Sequence, residues 1–81
     1  MKVTYELDFE DIVNKKKVMP GFYEGYYYSG ETPIPIPRSG DIIDPAGSLF
    51  VVETVTYRYD YKDKEHIVVN VKVDCRPKKA E

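Results

Sequence analysis

The chain reads as all-β: a small single-domain antiparallel barrel, or half-open barrel, of about five strands, with room for one short helical turn near residues 9–16. Three observations carry this reading. Apolar and polar residues alternate with a period of two near both ends of the chain, as in half-buried strands. Clusters of Pro, Gly and Asp punctuate the apolar runs. Five or so strands in about 75 residues are too few for a two-sheet sandwich, whereas a small barrel removes edges and lets one face of every strand share a core.

Val3, Tyr5, Leu7 and Phe9 alternate with Thr4, Glu6, Asp8 and Glu10, which defines the first strand. Two continuations are open after it. Asp8 is an N-cap candidate with acids in the following turn and Lys15–Lys17 at its end, the charge order a helix dipole favours. Ile12 and Val13 are β-branched and the segment is short, which favours the strand running on into a lysine-tipped loop. Pro20-Gly21 punctuates the chain, and the aromatic-rich stretch Phe22–Tyr28 is the second strand, with Gly25 expected at a bulge or bend. Pro33, Pro35 and Pro37 alternate with Ile34 and Ile36; because proline lacks an N–H, this is a polyproline-like loop or an edge crossing.

A short strand, Asp41–Ile43, leads into Asp44-Pro45-Ala46-Gly47. This tetrad sets Asp, Pro and Gly at the first, second and fourth positions of a type I turn and joins Ile42-Ile43 to Leu49–Val52 as a hairpin. In the long strand that follows, Val51, Val55, Tyr57, Tyr59 and Tyr61 share one face, and Glu53 interrupts it and marks a bulge. Lys62–Glu65 turn the chain into the last strand, where Ile67, Val69, Val71 and Val73 alternate with His66, Val68, Asn70 and Lys72. Tyr59 and Val69 can meet on one face only if the connecting loop has three or five residues, or if a bulge intervenes. One domain over residues 1–75 and a polar tail over 76–81 complete the expectation.

Pro37-Arg38-Ser39-Gly40-Asp41-Ile42-Ile43, a turn, then Val51-Val52 and Val55, resembles the opening of many SH3-like small barrels, in which Gly-Asp starts a strand and a hairpin leads into the long one. The resemblance spans about residues 37–73. It implies a barrel-like architecture and carries no activity or site residues with it, because that superfold hosts protein, peptide and nucleic-acid binders alike.

Twelve Lys and Arg against fourteen Asp and Glu give a net charge of −2. That is the wrong sign for affinity built on phosphate neutralisation. Cys75 is the only cysteine, so no intramolecular disulfide can form, and Asn-x-Ser/Thr is absent; a reduced, cytoplasmic setting is expected. The longest aliphatic and aromatic run is Leu49–Val52, too short to serve as a leader or to span a bilayer.

No catalytic, cofactor or metal site is expected. His66 and Cys75 lie nine residues apart on one strand, roughly 30 Å at ~3.3 Å per residue, which is too far for a nucleophile–base pair. One His and one Cys cannot make a closed zinc site without carboxylates, and Cys75 reads as a small buried hydrophobe. Asp41 and Asp44 have turn-forming roles, and no phosphate-cradling glycine motif is present.

Tyrosine exceeds background: eight in 81 residues, with no Trp. Tyr26-Tyr27-Tyr28 must send rings to both faces of their strand, so at least one is expected outside the core. The structural alternative is cross-strand packing of Tyr23 and Tyr27, with the isoleucines lidding the barrel and the prolines shielding an edge. The expected function is a small non-catalytic protein-binding module, an accessory or inhibitor protein of a bacterium or phage, that contacts a protein partner or itself. Its expected contact residues are Tyr23, Tyr26, Tyr27, Tyr28, Ile34, Ile36 and Arg38. A single-stranded nucleic-acid binder of OB or SH3-like type, pairing Lys15–Lys17 with exposed tyrosines, is one rival. The other is an enzyme subunit with Asp41, Asp44 or His66 bordering a pocket at an oligomer boundary.

Overall fold

The computed structural model describes residues 2–28, 36–45 and 47–79, with the backbone alone for 19–28. Five strands, β1 (Lys2–Asp11), β2 (Lys16–Tyr28), β3 (Ile42–Ile43), β4 (Phe50–Asp63) and β5 (His66–Pro77), form one sheet in the order β2-β1-β5-β4-β3. The sheet curls into a half-barrel, and no helix occurs among the described residues. Residues 9–16 form strand and turn, not helix: β1 runs to Asp11 and a turn over residues 12–15 brings in the lysines. The turn is closed by Asp11, whose Oδ1 accepts from the Val13 N–H at 3.0 Å and the Asn14 N–H at 3.1 Å.

The expectation of wholly antiparallel pairing is corrected at the sheet centre, where β1 and β5 are parallel. Parallel neighbours need a long crossover, and here everything from β2 to β4 serves as one. The physical reason lies in β5. Ile67-Val68-Val69 is apolar on both faces, which is the signature of a central strand. Val68 and its β1 partner Thr4 are accordingly buried on the face opposite the core.

Bulges set the faces. Val52 pairs with Cys75 and Thr54 with Asp74, so Glu53 is the extra residue anticipated from its interruption of the apolar pattern. The bulge shifts the alternation by one, so that Val52 rather than Val51 reaches the core alongside Val55. The last hairpin solves its parity by a two-residue turn, Lys64-Glu65, plus a second bulge between Tyr61 and Asp63, which leaves Tyr59 opposite Val69. In β2 the irregularity is not at Gly25, which pairs regularly with Tyr5, but at Met19–Phe22, four residues opposite the single Asp8. Pro20, without a ladder donor, lies inside it. β5 also outruns the expected tail, pairing Arg76 and Pro77 with Val51 and Phe50.

Left-handed backbone occurs at Gly40 (φ 95°) and Gly47 (φ 92°), where glycine pays no steric cost, and at Lys15 (φ 54°), where a side chain must be accommodated. Relief of that strain outweighs the freedom that glycine adds to the unfolded chain. Lys15→Gly is therefore expected to raise stability by about 0.5–1 kcal/mol. A urea midpoint that falls instead contradicts this.

One apolar face builds the core. Phe9, Val52, Val69, Val71 and Val73 form a buried cluster, flanked by Val3, Tyr5, Leu7, Val18, Val55 and Ile67 from the strands and by Ile36 and Ile43 from the segment that closes over one end. That segment is held by the Asp44-to-Gly47 turn, in which Asp44 Oδ1 accepts from the Gly47 N–H at 2.9 Å. β3 pairs antiparallel with Phe50 and Val51, as the tetrad predicts.

Candidate functional site

The apolar face is covered at one end and open at the other. Tyr57, Tyr59 and Tyr61 of β4 stand opposite Val71, Val69 and Ile67. Directly opposed residues share a face, so the three rings continue the core face along β4. Their partners Val71 and Val69 are 0% and 4% exposed, yet Tyr57, Tyr59 and Tyr61 are 45%, 62% and 75% exposed, rising towards the Lys64-Glu65 turn. The Tyr57 and Tyr59 rings are stacked, with centroids 6.5 Å apart and planes inclined by 16°.

Among the described residues, the edge of β4 alongside these rings is open as well. β3 covers only Phe50 and Val51. The preceding loop reaches a little further, through Gly40 N–H to Val52 O at 2.8 Å and Ser39 Oγ–H to Glu53 O at 2.6 Å. Among the described residues, no backbone pairing covers the outer edge of β4 from Thr54 to Asp63.

The opposite face is polar. Thr56, Arg58 and Asp60 of β4, Asn70 and Lys72 of β5, Glu6 and Asp8 of β1 and Lys17 of β2 line a shallow groove of about 650 Å³. Among its lining charges Lys17 and Asp8 pair, with Lys17 Nζ 2.6 Å from the carboxylate; Glu10, outside the groove, lies 3.5 Å from both Lys17 and Lys72, and Arg58 makes no ion pair among the described residues. The Asp8 hydrogen bond leads in raising the Lys17 ammonium above its ordinary value, against a smaller opposing effect of burial. Exposed pairs of this kind are worth little in stability.

The residues named from the sequence are distributed as follows. In β2, Tyr23 pairs with Leu7, Tyr26 with Thr4, Tyr27 with Val3 and Tyr28 with Lys2. Their side chains, like the whole of Ile34, lie outside the described residues. Ile36 is half-buried against the core, so it lids the half-barrel. Arg38 is exposed, and its N–H donates to Asp41 Oδ2 at 2.8 Å. The Lys15–Lys17 cluster and the β4 tyrosines do not meet. The lysines follow Asp11, level with Cys75, whereas Tyr61 is level with Ile67, roughly 26 Å away along β5 at ~3.3 Å per residue. Sequence reasoning missed Tyr57, Tyr59 and Tyr61 as surface groups. Their alternation with Thr56, Arg58 and Asp60 reports that they share a face but not whether that face is covered.

The titratable groups have structural partners. His66 Nε2 lies 2.9 Å from Thr4 Oγ1, and Asp41 and Asp44 accept backbone N–H groups. None of the three lines the groove. Asp11 is held below its ordinary carboxyl value, chiefly by the Asn14 side-chain amide at 2.8 Å and further by two backbone N–H groups, with burial opposing. Cys75 is fully buried, its S–H directed at Glu10 O at 3.4 Å. Burial, with Asp11 and Asp74 nearby, pushes its thiol up to about 11, so it is neutral near pH 7 and a poor nucleophile. Among the described residues, no group of three or more His, Cys, Asp or Glu side chains could hold a metal ion.

No family model matches this chain, nor does any curated protein or solved structure, so the functional reading rests on the arrangement of these side chains.

Proposed function

We propose that this chain is a small non-catalytic binding module that acts by stoichiometric contact with a protein partner through Tyr57, Tyr59 and Tyr61. One observation carries the reading: three tyrosines exposed in a row on the core-facing side of a sheet whose neighbouring valines are buried. Rigid amphipathic rings lose little side-chain entropy on binding and anchor protein interfaces, and contiguous exposed apolar surface in a small domain marks interaction sites. The tyrosines of β2 and Arg38 are further contact residues within the same proposal, and its setting is the cytoplasm of a bacterium or a phage-infected cell.

The test is retention of proteins from native cytosol on the immobilised chain, compared with a Tyr59→Ser/Tyr61→Ser variant and repeated after nuclease. The expected result is a nuclease-resistant protein partner lost with the variant. Equal retention by both, or retention that nuclease abolishes, contradicts the proposal. Both tyrosines are exposed, so each substitution should change stability by no more than about 0.5 kcal/mol.

A further inference from the structure

Tyr57-Arg58-Tyr59-Asp60-Tyr61 is self-complementary about its central residue: Tyr57 mirrors Tyr61, and cationic Arg58 mirrors anionic Asp60. The three rings lie on one face, and Arg58 and Asp60 lie on the other with the groove. We infer that the occupant of the open β4 edge is a second copy of this chain, pairing β4 with β4 antiparallel about a two-fold axis through Tyr59. This deepens the binding-module reading and rests on it.

The register follows from charge. With Tyr59 opposite Tyr59 of the second copy, Tyr57 faces Tyr61 and Arg58 faces Asp60, and by symmetry each pair occurs twice, as an isologous interface requires. Directly opposed cross-strand pairs of unlike charge and of aromatic rings are the stabilising units of an antiparallel ladder. The neighbouring symmetric registers fail. Centring on Arg58 opposes two arginines, and centring on Asp60 opposes two aspartates and sets Arg58 against Lys62. A slip by one residue sets each tyrosine on the charged face of the other chain.

Among the described residues, nothing in the monomer competes strongly for these charges. Arg58 makes no ion pair among the described residues, and Asp60 is approached only by Lys62, at 3.7 Å in an exposed pair. Edge strands are ordinarily blunted by charges, bulges or proline. Between Thr54 and Asp63 this edge has no proline, and its central charges, Arg58 and Asp60, are of opposite sign, so a second copy can neutralise them. Pairing would satisfy its backbone groups and bring two tyrosine stripes into one continuous aromatic surface.

The test is the solution mass of the full chain by sedimentation equilibrium, with folding of each variant checked by circular dichroism. Wild type is expected at twice its 9.4 kDa chain mass. Arg58→Glu and Asp60→Lys each create two like-charge oppositions and should raise the dimer dissociation constant about tenfold or more. Mixing these two single variants should restore a dimer of one chain of each, and Arg58→Glu/Asp60→Lys in one chain should restore the homodimer. A wild type that stays monomeric up to its solubility limit overturns the inference, as does a dimer indifferent to the single swaps. A monomer that still retains a protein through Tyr59 and Tyr61 removes the self-pairing and leaves the binding module standing. A monomer that retains nothing removes both.

Discussion

Phe9→Ala is expected to remove a large share of the chain's stability. Among the described residues, Phe9 is the one large ring in the buried cluster, 6% exposed, packed with Val52, Val69, Val71 and Val73. Removing it loses the transfer energy of the ring and leaves a cavity, at a cost of about 3–5 kcal/mol. A domain of this length holds about 4–12 kcal/mol in total, so the loss consumes a large share of it. Among the described residues, no second layer is present that could collapse into the void. A thermal midpoint lowered by more than about 12 °C is the expected reading; a shift of a few degrees means that the core is centred elsewhere. Measured at concentrations where the chain is monomeric, Tyr59→Ala is the internal control. The same type of truncation at a ring 62% exposed should change stability little, and a loss comparable to that of Phe9→Ala would mean the stripe is packed.

Stability is expected to fall above pH 9, and Cys75 should account for a separable part of the fall. The thiol ordinarily titrates at 9.0 and is pushed up to about 11 in the fold, first by burial and then by Asp11 and Asp74. The sign follows from linkage: between these values the unfolded chain has lost the proton and the folded chain keeps it, so stability declines as pH rises through the interval. Two pH units correspond to about 2–3 kcal/mol. Lysines and tyrosines titrate in the same range, so the measurement is the difference between wild type and Cys75→Ala in urea midpoint at pH 7.5 and at pH 10.5. Wild type should lose more than the variant. Equal losses would mean that the thiol ionises freely, and a thiol reagent should then modify it in the folded protein as fast as in denaturant.

Much of the fold was legible because the signals are local. The alternation from Val3 to Phe9 and from Ile67 to Val73 marks two strands, Asp44-Pro45-Ala46-Gly47 marks the hairpin, and Glu53 marks a bulge that the pairing of Val52 and Thr54 realises. The parity of the last hairpin was legible too, since a period of two admits only certain loops. The parallel placement of β5 beside β1 was not read, although Ile67-Val68-Val69 carried its trace in an apolar residue on the supposedly polar face. The candidate site shifted strands. Consecutive tyrosines in β2 drew attention because they must occupy both faces, whereas those of β4 looked like core.

Strand positions, turn chemistry and the side of the sheet that each β4 residue takes are properties of short stretches, set by dihedral preference and by the two-residue repeat of an extended backbone. They are readable residue by residue. Whether a face is covered depends on how far a two-residue β3 and the Ile36 segment reach along β4, and on which strands the crossover places side by side. Those outcomes compare distant parts of the chain, so the packed sheet alone decided that Val69 is buried and that its neighbour Tyr59 faces water.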